Sequence, residues 1–148
     1  MVWPPEFLRF ALSISYAVAP FVGWLVSGTI KSIHTSITAR RAQTDFLGYG
    51  GVPSTHATIV CTTATLIGAR EGYSTPEFAI AITVAILVIM DAVSLRQWVG
   101  QQATALNLLR ADEPGLERLR ERVGHKPIEI LAGIVLGIVC GHGLNWLG

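Results

Sequence analysis

Four long apolar runs decide what this chain can fold into. Residues 10–30, 57–69, 78–90 and 130–147 are nearly free of charge. A helix that crosses a bilayer needs about 20 apolar residues, within a range of about 17–25. The first and last runs meet that length alone. The middle two meet it when their polar ends, 53–56 and 91–95, lie at membrane depth. The alternative, buried helices of a soluble bundle, calls for amphipathic stripes, and these runs are apolar all round. Charged residues make up 14% of the chain, against about 25% in soluble domains, which favours the membrane. We expect one all-α domain over residues 1–148, an integral membrane bundle of about four transmembrane helices. Their expected spans are about 6–30, 53–69, 76–96 and 127–146, with a kink at Pro20. Residues 31–52 and 97–126 are the expected long loops. The second is amphipathic, with Leu106, Leu109, Leu116 and Leu119 as an interfacial stripe.

The N-terminus lacks the basic region of a cleaved signal, and its apolar run is too long for one. Trp3, Pro4 and Pro5 read as an interfacial start to the first helix. Cys61 and Cys140 lie in different apolar runs and form neither a disulfide framework nor a metal motif. We expect no cofactor, no bound metal and no nucleic-acid partner; the net charge is only +1. The distribution of charge says more than its sum. Lys31, Arg40 and Arg41 fall in the first loop. Arg96, Arg110, Arg118, Arg120, Arg122 and Lys126 fall at or in the second, so nine of eleven Lys and Arg lie on one side. By the positive-inside rule, that side is cytoplasmic. The expected location is the inner membrane, multi-pass, with both termini outside.

Two short stretches carry the chemistry. Gly50-Gly51-Val52-Pro53-Ser54-Thr55-His56 and Gly124-His125-Lys126-Pro127-Ile128-Glu129 are glycine-bounded turns with proline near a helix start. Each places a histidine in or beside a first turn, where free backbone N–H groups favour an anion. The topology brings both turns to the cytoplasmic surface, with Lys31 and Arg96. Ser54, Thr55, Lys31, Arg40, Arg41 and Arg96 are candidate phosphate ligands, since guanidinium binds phosphate bidentately and lysine acts as a point charge. His125 and Glu129 are four apart and share a face if both are helical. A carboxylate beneath an imidazole suits a histidine nucleophile, with His56 as the acid for the leaving oxygen. Asp91 ends an apolar run about one turn inside the membrane surface, a costly place for a carboxylate, and is expected to pair with Arg96 or a histidine. A second reading joins Asp91, His56, His125 and Glu129 as a metal site. Gly133, Gly137 and Gly141, spaced by four, line one helix face for close packing. The partner on that face is either a helix of the same bundle or a second copy in a homodimer.

These blocks resemble the divergent branch of the type 2 phosphatidic acid phosphatase superfamily over nearly the whole chain. The first stretch is similar to that branch's GGMPSSH. Asp91-Ala92-Val93-Ser94-Leu95-Arg96 resembles its DAxGVRR, Leu106-Asn107 a following LN, and residues 124–133 its GHTPxEVxAG. The resemblance implies that His125 is the nucleophile, His56 the acid, and Glu129 the residue that orients His125. It implies that Lys31 with Arg40 or Arg41 forms the first phosphate block, with Ser54 as the phosphate-binding serine. Thr55 stands where the parent superfamily has glycine, and Glu129 where it has aspartate. The arginine expected six residues before the last histidine is Leu119 here; Arg96, Arg118 and Arg120 are the candidates to supply it.

The resulting expectation is a membrane phosphatase that hydrolyses a lipid phosphate monoester or prenyl (di)phosphate through a phosphohistidine. The alternatives are a non-catalytic protein that binds or moves an anionic lipid, and a metal-dependent membrane hydrolase.

Overall fold

Small residues put one helix at the centre of the molecule. α2 (Thr55–Glu71) buries Ala57, Thr58, Thr62, Ala64 and Gly68, side chains short enough for neighbouring backbones to come close. It packs against α1 (Pro5–Ala39), α3 (Pro76–Met90) and α5 (Pro127–Leu147). The structure, a computed structural model, describes residues 5–39, 51–110, 116–121 and 123–147, and in α1 the side chains of 15–37. Thr58 and Thr62 are fully buried, and their hydroxyls donate back to the carbonyls of Ser54 and Thr58 at 2.9 and 2.7 Å. Both are thus satisfied inside their own helix.

The closest seam joins α2 to α5. Gly133, Gly137 and Gly141 are all buried there. A Cβ on Gly137 would stand 2.5 Å from Cβ of Cys61, so only glycine permits the approach. Of the two partners expected for this glycine face, a helix of the same bundle is the one seen: α2 packs on it.

Burial is inverted relative to a soluble protein. Apart from Leu66 and Ile130, the buried positions among the described residues hold small or polar groups such as Ala19, Ser27 and Ala85, while Phe21, Leu25, Ile80, Leu87, Leu131 and Val139 are exposed. α3 buries only Ala85. Large apolar side chains facing outward on several helices are what lipid, not water, accommodates. Two helical runs, Pro76–Leu109 and Pro127–Leu147, are long and apolar enough to cross a bilayer by length and composition. The architecture is an all-α membrane bundle.

Several boundaries differ from expectation. α1 runs past residue 30 to Ala39 and is unbroken at Pro20, so Lys31 lies in a helix rather than a loop. α2 begins at Thr55 because Ser54 takes the N-cap, leaving Pro53 outside. α3 continues through a π turn (Asp91–Leu95) into α4 (Arg96–Leu109) without interruption. The first half of the expected 97–126 loop is therefore helix, as residues 97–109 contain no proline to stop it.

At the Glu71 end of α2, Arg70 gathers three elements. Its guanidinium donates to Ser15 Oγ and to the Leu144 carbonyl at 3.2 Å, and lies over the Tyr16 ring at 5.4 Å. Tyr16 in turn donates to the Glu71 carboxylate. At the opposite end, Ala57, Ala92 and Ile130 form a buried apolar cluster, with Ile89, Val93 and Ile134 packed on it. Each of those three buried residues adjoins a residue of the site.

Candidate active site

Two turns of similar build deliver the histidines. Gly51 at φ +94° and Gly124 at φ +107° take left-handed conformations that L side chains avoid. Beyond the first turn, Ser54 caps α2 by accepting the Ala57 N–H at 3.5 Å. Beyond the second, the Lys126 carbonyl accepts the N–H groups of Glu129 and Ile130 at 2.9 and 3.3 Å, and Pro127 opens α5. The two turns are tied together, since Ser54 N–H donates to the Glu129 carbonyl at 2.8 Å. His125 N–H donates to the Ala92 carbonyl, 3.4 Å away in the π turn. α2, α5 and the π turn thus meet at the histidine pair.

The rings of His56 and His125 stand edge to face, centroids 6.2 Å apart and planes at 90°. His125 is 5% exposed, and neither of its ring nitrogens has a hydrogen-bond partner. His56 Nδ1 and Thr55 Oγ1 are likewise buried and unpaired. A buried polar atom without a partner costs about 1–3 kcal/mol, and native structures hold few of them. Their concentration around one ring pair makes this end the candidate site for a polar ligand.

Arg96 binds the other nitrogen of His56. Its Nη2 lies 3.1 Å from His56 Nε2, and its Nε donates to Asp91 Oδ2 at 3.3 Å. Guanidinium only donates, so Nε2 accepts and the ring proton belongs on Nδ1. The π turn makes the Asp91–Arg96 pair possible. In an α-helix residues five apart point about 140° away from each other, whereas one π turn returns after about five residues. Asp91 is thus the partner of Arg96.

Lys31 enters from α1, buried, with its aliphatic chain against Gly51. Lys31, His56, Arg96 and Glu129 all act electrostatically on His125. Burial holds the His125 imidazole below its ordinary range; Glu129 opposes that, and Lys31, His56 and Arg96 add to it.

Glu129 differs from the sequence reading. Its carboxylate accepts the Lys126 N–H at 3.1 Å, the reciprocal half of a capping box, and makes no hydrogen bond to either nitrogen of His125. His125 precedes α5 and so has no helical phase to share with Glu129. Ser54 Oγ accepts at the α2 cap, which uses a lone pair and not its O–H donor. Arg40 and Arg41 lie outside the described residues. Among the described residues no three His, Cys, Asp or Glu side chains gather as metal ligands.

A polar cleft of about 750 Å³ opens beside His125 and Glu129. Gln97, Gln101 and Thr104 of α4 form one wall, and Arg120 and Glu121 the other. Apart from Arg120, sequence reasoning passed these residues over. Their spacing of four and three on a helix was the signal that could have found them.

An all-α membrane bundle with a histidine pair and cations at one end defines a class of integral membrane protein. The chain belongs to the Divergent PAP2 family, whose profile matches residues 13–140. It is similar to the uncharacterized membrane protein YuiD of Bacillus subtilis (strain 168), with 29% identity over 106 residues, 61% of this chain and 67% of that protein. No solved structure matches the chain.

Proposed function

We propose that this protein is a membrane phosphatase that hydrolyses a lipid phosphate monoester or prenyl (di)phosphate through a phosphohistidine. The observation that carries the reading is the His56–His125 pair, 6.2 Å apart, with three buried ring nitrogens unpaired and Arg96 on the fourth. Membership of the Divergent PAP2 family supports the coarser part of this reading, a PAP2-related membrane protein.

A nitrogen of neutral His125 attacks phosphorus, the N–P bond forms and the ester P–O bond breaks. The leaving alkoxide takes a proton from His56. Water then attacks phosphorus, the N–P bond breaks, and His56 takes the proton back. The sum is ester plus water to alcohol plus phosphate. Arg96 links binding to this cycle. While it donates to His56 Nε2, that nitrogen holds no proton. An incoming phosphate draws the guanidinium to itself, and Nε2 is then open to protonation. Lys31 and Arg96 balance charge on the phosphoryl oxygens, and Asp91 keeps Arg96 in place. Glu129 acts through the field it exerts on His125 and through the α5 cap.

We further propose that α1 and α2 also cross the membrane, giving four spans with both termini outside. The site then faces the cytoplasm, where nine of eleven Lys and Arg fall.

The test is phosphate release from phosphatidic acid, phosphatidylglycerophosphate and prenyl (di)phosphates by the purified chain and by His125→Ala. Turnover by the wild type alone, with a trapped phosphohistidine, is the expected result. No turnover on any of them, with lipid binding unchanged in the variant, would replace the enzyme by a protein that binds or moves anionic lipids.

A further inference from the structure

The cleft beside His125 has a wall that one buried amide builds. Asn107 of α4 is 6% exposed. Its Nδ2 donates to the Leu119 carbonyl at 2.7 Å and to Glu121 Oε1 at 2.8 Å, and its Oδ1 accepts the Leu119 N–H at 2.8 Å. The side chain thus pairs with both backbone groups of Leu119, as a neighbouring strand would. Gly100 completes the fit, because a Cβ there would stand 2.4 Å from the Glu121 carbonyl oxygen. Together they lay residues 119–121 along α4 and fix Arg120 and Glu121 across from Gln97, Gln101 and Thr104. α4 therefore presents two adjacent stripes. Gly100, Ala103 and Asn107 are buried, while Gln97, Gln101 and Thr104 line the cleft.

The lining also says what the cleft suits. Arg120 and Lys126 are matched by Glu121 and Glu129. Both carboxylates are engaged, Glu121 with Asn107 and Glu129 with the Lys126 N–H. Beside these charge-balanced groups stand the amides of Gln97 and Gln101, the hydroxyl of Thr104 and the His125 ring. A second phosphate calls for an excess of cations; a balanced set of donors and acceptors suits an uncharged, hydroxyl-bearing group. We propose that this cleft is a head-group subsite for the hydroxylated alcohol portion of a phosphate monoester, such as glycerol, and that Asn107 is the positioning residue that forms it. The proposal rests on the phosphate reading of His125.

The test uses the full chain in detergent with two matched pairs of probes. Glycerol 3-phosphate and propyl phosphate are the soluble pair; a 1-acylglycerol 3-phosphate and a long-chain alkyl phosphate are the lipid pair. Calorimetric binding and turnover are measured for each, with inorganic phosphate and a prenyl diphosphate alongside. The wild type should favour the hydroxylated member of at least one pair by about tenfold, the scale of one or two net hydrogen bonds; the pair that discriminates shows whether the source is lipid or soluble. Gln101→Leu and Asn107→Ala should bring the ratio close to one, with the loss falling on KM or Kd of the hydroxylated probe. Gln101 is exposed, so its variant keeps the test open if Asn107→Ala does not fold. Equal affinity for both members of each pair overturns the proposal, as does tightest binding of the diphosphate. An equal fall in kcat on both probes for Asn107→Ala, with the binding ratio kept, removes the role given to that residue. Absence of turnover with the binding ratio intact overturns the phosphatase reading and leaves the subsite standing.

Discussion

The two ends of α2 are built on opposite principles. At the Glu71 end, Arg70 bonds Ser15 and Leu144 and covers the Tyr16 ring, so one side chain fastens α1, α2 and α5. At the Thr55 end, the same three helices meet around His56 Nδ1, Thr55 Oγ1 and both nitrogens of His125, all buried and unpaired. One end satisfies its polar groups within the chain. The other leaves them for something the chain does not supply. Stability and function commonly trade in this way, and breaches of local rules gather at functional sites. The contrast indicates which end holds the fold together and which is the candidate for the proposed chemistry.

The largest difference should come from exchanging the two residue classes. His125→Ala should reduce phosphate release to background, with thermal stability in detergent unchanged or raised, since a buried unpaired imidazole is removed. A clear loss of stability would mean that His125 is structural and would end the contrast. His56→Ala should lower turnover by about 10²–10⁴-fold, the scale of general acid–base catalysis. Arg96→Ala should cost about 10²–10³-fold, the scale of one charge-stabilising donor. In that variant His56 loses the donor on Nε2, so the pH dependence of the residual rate should change as well. A rate that falls with an unchanged profile would separate Arg96 from His56.

What sequence could show follows the same division. The four apolar runs and the two Gly–Pro turns are legible because hydropathy over a run and turn chemistry are local properties. The glycine stripe on α5 was legible too, but its partner was not. A stripe states that something packs closely, and only the fold says that it is Cys61 and Thr65 of α2. The shared helical face expected for His125 and Glu129 is absent because the four-residue spacing argument presumes a helix at both ends, and α5 begins at Pro127. The π turn left no local signature, although it is what brings Asp91 and Arg96 together. Leu106-Asn107 is legible as one block of the resemblance, but the role of Asn107 is not, because it depends on a backbone segment twelve residues away.

At the Glu71 end the expected effect is on stability. Arg70→Ala should destabilise the bundle by about 1–3 kcal/mol, the scale of hydrogen bonds to a charged group. Activity per folded molecule should hold. Thermal unfolding in detergent, read beside turnover, measures both. A variant with normal stability and lost turnover would show that the two ends are coupled through α2, and the division proposed above would fail.

The finest test lies within the site, in the pH profile. His125 must be neutral to attack, so turnover should fall as acid protonates it. Burial holds its pKa below the ordinary histidine value, and Glu129 raises it against that trend. The acid limb of kcat/KM should therefore lie below the usual imidazole range. Glu129→Gln removes the charge, yet the amide oxygen can still accept the Lys126 N–H and keep the α5 cap. Without the carboxylate the imidazolium is less stable, its pKa falls further, and the acid limb should move to lower pH. A limb that stays in place would confine Glu129 to its capping role. Movement to higher pH would mean that Glu129 favours the neutral ring, contrary to the sign of the field derived from its position.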